Sequence, residues 1–211
     1  MVVLGLTGSI GMGKTTIAGM FRRIGVPVHD ADAAVHRLLA KKGAAVAAVA
    51  EAFPGVVVKG AIDRQALGAR VFGDPAALGR LERILHPLVR SSERRFLARQ
   101  ARRRAPLVVL DIPLLFETGG EKRCDAVVVV SAPRFLQAAR VLRRPGMTRA
   151  KLAAILARQV PDEAKRRRAD FVVLTGLSFA RSLRAVKRIV KVAKERGGAR
   201  RRAGAAIKRR S

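Results

Sequence analysis

The run Gly8-Ser9-Ile10-Gly11-Met12-Gly13-Lys14-Thr15 constrains this chain more than any other feature. It fits the pattern G-x-x-x-x-G-K-[ST] without a mismatch, and its surroundings fit as well. Apolar residues 2–6 run into it as a strand would, and residues 15–24 leave it with the apolar spacing of a helix. The glycines let the backbone curl until successive N–H groups converge on phosphate oxygens, and the helix N-terminus adds positive potential. Lys14 is expected to reach the terminal phosphates and the Thr15 hydroxyl to ligate Mg²⁺. Gly8, Gly11, Met12, Gly13, Lys14, Thr15 and Thr16 form the candidate nucleotide-binding set. Strand, loop and helix in that order predict a nucleoside triphosphate site.

Four further short apolar runs, at 26–29, 107–110, 126–130 and 171–174, are rich in Val and Leu and nearly free of charge. Strands covered on both faces read this way, and their alternation with helical segments predicts an α/β fold with a five-stranded parallel sheet. Between the second and third strands, residues 35–52 read as a helix, 53–62 as a turn or short extended stretch, and 63–104 as two or three helices. Asp63 and Asp74-Pro75 are helix starts, and His86-Pro87 reads as a joint between helices. This section is too long for an ordinary crossover and suits a subdomain over the strand ends, where open α/β sheets bind ligands. A second helical section, 133–159, is interrupted by the turn signal Arg144-Pro145-Gly146. Residues 196–211 carry seven basic residues and no acid, and read as a disordered tail. The expected organisation is one domain over 1–195, with its core in about 1–34, 105–132 and 160–195, followed by that tail.

The 44 Lys+Arg against 15 Asp+Glu give a net charge of +29, which predicts attraction to polyanions without choosing among them. Biased composition accounts for many of the surface arginines equally well. A single cysteine, Cys124, excludes an internal disulfide framework and any multi-cysteine zinc site. No stretch approaches about 18 consecutive apolar residues, so no membrane span is expected. A soluble, cytoplasmic protein is the expectation.

Three acids stand near the expected phosphate site. Asp30 and Asp32 follow the second strand, where a carboxylate can accept a proton from an attacking hydroxyl or hold Mg²⁺ through water. The two point in different directions, so one is expected to be a structural N-cap. Asp111 ends the apolar run 107–110, in the position of an acid that orients Mg²⁺ or a ligand of Thr15. About 200 residues with helical insertions suit a small-molecule kinase, which must enclose its acceptor and exclude water. The guanine-reading pattern N-K-x-D of regulatory GTPases is absent.

Taken together, these residues resemble the dephospho-coenzyme A kinase family, from about residue 2 to about residue 178. Beyond the phosphate loop, the resemblance rests on Asp30-Ala31-Asp32, Gly60-Ala61-Ile62-Asp63-Arg64, Leu85-His86-Pro87-Leu88-Val89 and Asp111-Ile112-Pro113-Leu114-Leu115-Phe116-Glu117. Gln137, Arg140, Arg144 and Gln159 fall at the spacing of the family's lid, and Ala169-Asp170-Phe171-Val172-Val173 at its final strand. The resemblance implies a P-loop kinase core, an acceptor-binding helical insertion at about 35–104 and a lid at about 133–159. It implies ATP-dependent phosphorylation of the ribose 3′-hydroxyl of dephospho-coenzyme A, the last step of coenzyme A synthesis. Asp32 becomes the candidate base, and Lys14, Arg140 and Arg144 the cations over the phosphates. His86 reads as structural. The chain departs from the family pattern at Leu174-Thr175-Gly176, where an Asp-Asn type of turn is usual, and at Pro145.

Two other functions remain open at this stage. Another small-molecule or nucleotide kinase would use the same loop and arginines. A nucleic-acid-binding role would use the Arg tracts 102–104, 166–168 and 200–202, although no recognisable nucleic-acid module or aromatic interleaving accompanies them.

Overall fold

The computed structural model describes residues 1–208. Strand β1 (Val2–Thr7) leads into the glycine-rich loop and helix α1 (Lys14–Arg23). Helix α1 buries Ile17, Ala18, Met20 and Phe21, and ends on Arg22 and Arg23, whose charge suits the helix C-terminus. Strands β2 (Val28–Asp30), β5 (Leu107–Asp111), β6 (Ala126–Ser131) and β7 (Phe171–Leu174) complete the expected five, in the order β2-β5-β1-β6-β7. The sheet is parallel and flanked by helices. Every residue of β5 and β6 is buried, which explains why their sequences are continuous apolar runs rather than alternations.

The chain falls into two compact units, Met1–His29 with everything from Gln100 onward, and Asp30–Arg99. In the first unit, Leu4, Leu6, Ile17, Phe21, Val109, Val128, Val130 and Val173 form one core, closed by Val186, Ile189 and Val190 of helix α9 (Phe179–Lys208). Leu115, Phe116, Val127 and Val129 form a second core cluster. Helices α6 (Arg134–Leu142), α7 (Arg149–Ala157) and α8 (Asp162–Arg167) lie between β6 and β7. The break between α6 and α7 falls at the Arg144-Pro145-Gly146 signal.

The second unit has its own core of Leu38, Leu39, Val49, Phe53, Val56, Ile62, Leu67, Leu81 and Leu85. Its helices begin where the aspartates stand. Asp30 Oδ1 accepts from the Ala33 amide at 2.9 Å to open α2 (Ala31–Leu39). Asp63 Oδ1 accepts from Gln65 and Ala66 to open α4 (Arg64–Val71). Asp74 Oδ1 accepts from Ala76 and Ala77 at the start of α5 (Pro75–Arg102).

Three expectations are corrected. Residues 35–52 do not form one helix: α2 stops at Leu39 and α3 (Val46–Ala52) begins anew. The intervening turn places Lys42 at φ 64°, and the Ala45 amide donates back to the Leu38 carbonyl at 3.1 Å. That turn lets Ala45 and Val49 join Leu38 and Leu39 in the same core. His86-Pro87 is not a joint, because α5 runs through it for 28 residues. Pro87 deprives the helix of one amide donor, yet Leu81, Leu85 and Phe96 stay buried on either side and hold the helix together. The tail expected to be disordered from Arg196 differs as well, since α9 continues as helix to Lys208. At Gly197 the helix backbone passes so close to Val2 that a Cβ would overlap its Cγ2. Residues 209–211 lie outside the described part. The stretch 53–62 contains a small antiparallel hairpin, β3 (Val57–Val58) with β4 (Ala61–Ile62).

Candidate active site

The register of the sheet decides what stands beside the glycine-rich loop. Leu6 of β1 lies opposite Asp111 of β5, and Thr7 lies opposite Val129 of β6. The loop therefore leaves the carboxyl end of β1 beside the carboxyl end of β5, where an open parallel sheet takes its ligand. Gly8 is packed against β6: a Cβ there would come 2.6 Å from the Val130 carbonyl oxygen. Gly13 is the N-cap of α1 in the left-handed region, at φ 89°. No side chain caps this helix, and no acid stands in its first turn. This N-terminus thus carries no acidic competitor for an anion.

Lys14 turns its ammonium to Asp111, with Nζ 2.7 Å from Oδ1. Asp111 is 2% exposed, so the pair sits at low dielectric and each charge holds the other in place. Thr15 and Thr16 are exposed in the first turn of α1. The donor chemistry of Thr15 and Asp111, a hydroxyl and a carboxylate, is hard oxygen and suits Mg²⁺. Among the described residues, no group of three or more His, Cys, Asp or Glu side chains comes together. A divalent ion here would take most of its ligands from phosphate and water, which is the usual habit of Mg²⁺.

The loop is braced from outside along its length. Gln159 Oε1 accepts from the Ile10 amide at 3.1 Å, while Gln137 Nε2 donates to the Ile10 carbonyl at 2.8 Å. Arg140 donates through Nη1 to Thr175 Oγ1 at 3.0 Å, and through Nη2 to the Thr175 carbonyl at 2.7 Å. A longer contact of 3.4 Å reaches from Arg140 to the Gly11 carbonyl. The Thr175 hydroxyl donates to the Met12 carbonyl at 2.6 Å. Met12 itself is buried, and its Sδ accepts from the Ala132 amide at 3.1 Å. Arg140 is thereby tied to the loop and to Thr175 by protein groups.

The structure thus gathers Gly8, Gly11, Met12, Gly13, Lys14, Thr15, Thr16, Asp111 and Arg140 around one loop. Arg144 lies exposed in the turn after α6. Asp32 is exposed in the first turn of α2, two residues past the end of β2, and belongs to the second unit. Of the aspartate pair, Asp30 is the N-cap. Sequence reasoning missed Thr175, which holds both Arg140 and Met12. It also missed Lys165, which is wholly buried beside Glu117. Thr175 follows the final strand, so its place opposite the loop could be found only from strand order. No local pattern marks a lysine for burial.

A family model described as dephospho-CoA kinase matches residues 2–178. The dephospho-CoA kinase of Paramagnetospirillum magneticum AMB-1 is 72% identical over 166 residues, covering 79% of this chain and 78% of that protein. The Rhodospirillum rubrum protein of the same name is 64% identical over 187 residues, covering 88% and 89%. Among solved structures, TT1252 from Thermus thermophilus superposes with a TM-score of 0.78 at 38% identity, covering 90% of this chain and 96% of that one. The span matched by the family model includes the phosphate loop, the aspartates, the bracing glutamines and the final strand. The chain belongs to the dephospho-CoA kinase family.

Proposed function

We propose that this chain transfers the γ-phosphoryl group of ATP to the 3′-hydroxyl of dephospho-coenzyme A, yielding coenzyme A and ADP. The observation that carries the reading is the braced, cation-lined loop in a chain whose residues 2–178 match that family. The bond from the γ-phosphorus to the ADP oxygen breaks as the ribose oxygen bonds to phosphorus. The hydroxyl proton goes to Asp32, whose exposed carboxylate is spared from capping by Asp30. The leading amides of α1 hold the phosphate chain. Lys14 and Arg140 oppose the charge that spreads over the transferring group, and Arg144 joins them when residues 133–159 close as a lid. Thr15 and Asp111 would hold Mg²⁺, which when bound neutralises phosphate charge. The compartment we propose for the reaction is the cytoplasm. As a separate fact of the fold, no helix among the described residues is long and apolar enough to cross a membrane.

The test is an acceptor panel with Mg-ATP, comprising dephospho-coenzyme A, adenosine monophosphate and shikimate, read by ADP release. Turnover is expected with dephospho-coenzyme A alone. Turnover of another acceptor with none for dephospho-coenzyme A would overturn the assignment.

A further inference from the structure

Lys165 is the one lysine in the buried core, with its side chain wholly inaccessible among the described residues. Its Nζ lies 2.8 Å from Glu117 Oε1 as an ion pair. Glu117 stands in the turns after β5, 13% exposed. The same Oε1 accepts from the Val160 amide at 2.9 Å. Val160 follows directly on Gln159, whose carboxamide holds the Ile10 amide of the phosphate loop. A continuous line therefore runs from Lys165 through Glu117, Val160 and Gln159 to Ile10.

Burying a lysine is unfavourable even when it is paired, and replacing such a pair with apolar residues is often neutral or stabilising. Stability alone is therefore a weak account of this one. The position of Glu117 offers a better account. Lys165 fixes the carboxylate, and the carboxylate fixes the backbone at Val160. That backbone sets where the Gln159 side chain meets the loop. From the other side, Gln137 holds the Ile10 carbonyl. Ile10 is then oriented by protein at both its polar groups.

We infer that Glu117 is a positioning residue for nucleotide binding, whose side-chain oxygen accepts from the Val160 amide and so acts through Gln159 on the Ile10 amide. The inference rests on the loop being the ATP site. It is tested by direct titration with Mg-ATP, which needs no acceptor, so a failed acceptor assignment would leave it standing.

Two double variants separate positioning from packing. Glu117→Gln/Lys165→Met removes both charges but keeps an oxygen acceptor for the Val160 amide. Glu117→Leu/Lys165→Met removes the charges and the acceptor. Both are made in the full chain, and folding is followed by thermal melting. The first is expected to bind Mg-ATP within about twofold of the parent, and the second about tenfold more weakly, a loss of about 1.4 kcal/mol. Equal affinities in the two variants, whether both normal or both impaired, would overturn the proposal. If neither folds, Gln159→Ala decides. About tenfold weaker Mg-ATP binding in that variant supports the line to the loop, and parental affinity overturns it.

Discussion

At the scale of single residues, Asp30 and Asp32 show what burial and bonding add to a sequence pattern. The sequence leaves open which of the two is structural, because either can cap a helix. The Ala33 amide bonds to Asp30, which makes Asp30 the cap, and Asp32 is exposed; we propose Asp32 as the base. Asp32→Asn is therefore expected to lower kcat by about 10²-fold or more, with Mg-ATP affinity and melting temperature little changed. His86→Gln serves as the contrast, because His86 is exposed on α5 with Leu85 buried beside it. That variant should keep kcat within about twofold. Single-turnover assays compare the two, and a larger loss in His86→Gln would move the base to His86. Thr175 was illegible for a physical reason. Its partners Met12 and Arg140 come from distant parts of the sequence, and only β6–β7 pairing carries the chain end of β7 back to the loop.

At the scale of elements, strands were legible and helix breaks less so. Valine-rich runs without charge specify strands buried on both faces, and all five strands fall within a residue or two of the expected runs. The break between α2 and α3 was missed because apolar periodicity continues across it, with the signal confined to Lys41-Lys42-Gly43. Gly43 is the residue that permits the turn: its amide donates to the Ala40 carbonyl at 2.7 Å, and a Cβ on it would overlap the Leu38 carbonyl. Backbone cannot yield as a flexible side chain does. Gly43→Ala is expected to destabilise the second unit by about 1–3 kcal/mol. Thermal melts and hydrogen exchange over residues 30–99 measure this. An unchanged melting temperature would show that the turn relaxes without cost. Pro87 misled in the opposite sense. A proline reads as a helix end, but apolar contacts on both sides of it outweigh one lost hydrogen bond.

At the scale of the whole molecule, the +29 charge is the feature that the fold explains least. The loop employs Lys14 and Arg140, whereas α9 alone exposes Arg181, Arg184, Lys187, Arg188, Lys191 and Lys194. Val186, Ile189, Val190 and Ala193 form the buried face of the same helix, and the acids near these cations are Asp170, which lines a cavity with Arg181, Arg184 and Arg188, and Glu195 next to Lys194. Family membership does not favour nucleic-acid binding as the main role. If this surface binds RNA, counterion release makes the affinity fall with salt. Retention on an RNA column should persist in a chain lacking 196–211, because that deletion removes only seven of the positive charges. Complete loss of retention would assign the binding to those residues.

The double hold on Ile10 has a consequence for the catalytic cycle. A phosphate loop that takes its shape from its ligand must refold around each incoming nucleotide and relax after each departure. Here Gln137 and Gln159 hold the crown of the loop from the protein side, and Arg140 is bonded to the Thr175 carbonyl. Departure of ADP then empties the cradle without collapsing it. The next ATP then meets a loop already held at Ile10, and its binding free energy is expected to go into affinity rather than into ordering that residue.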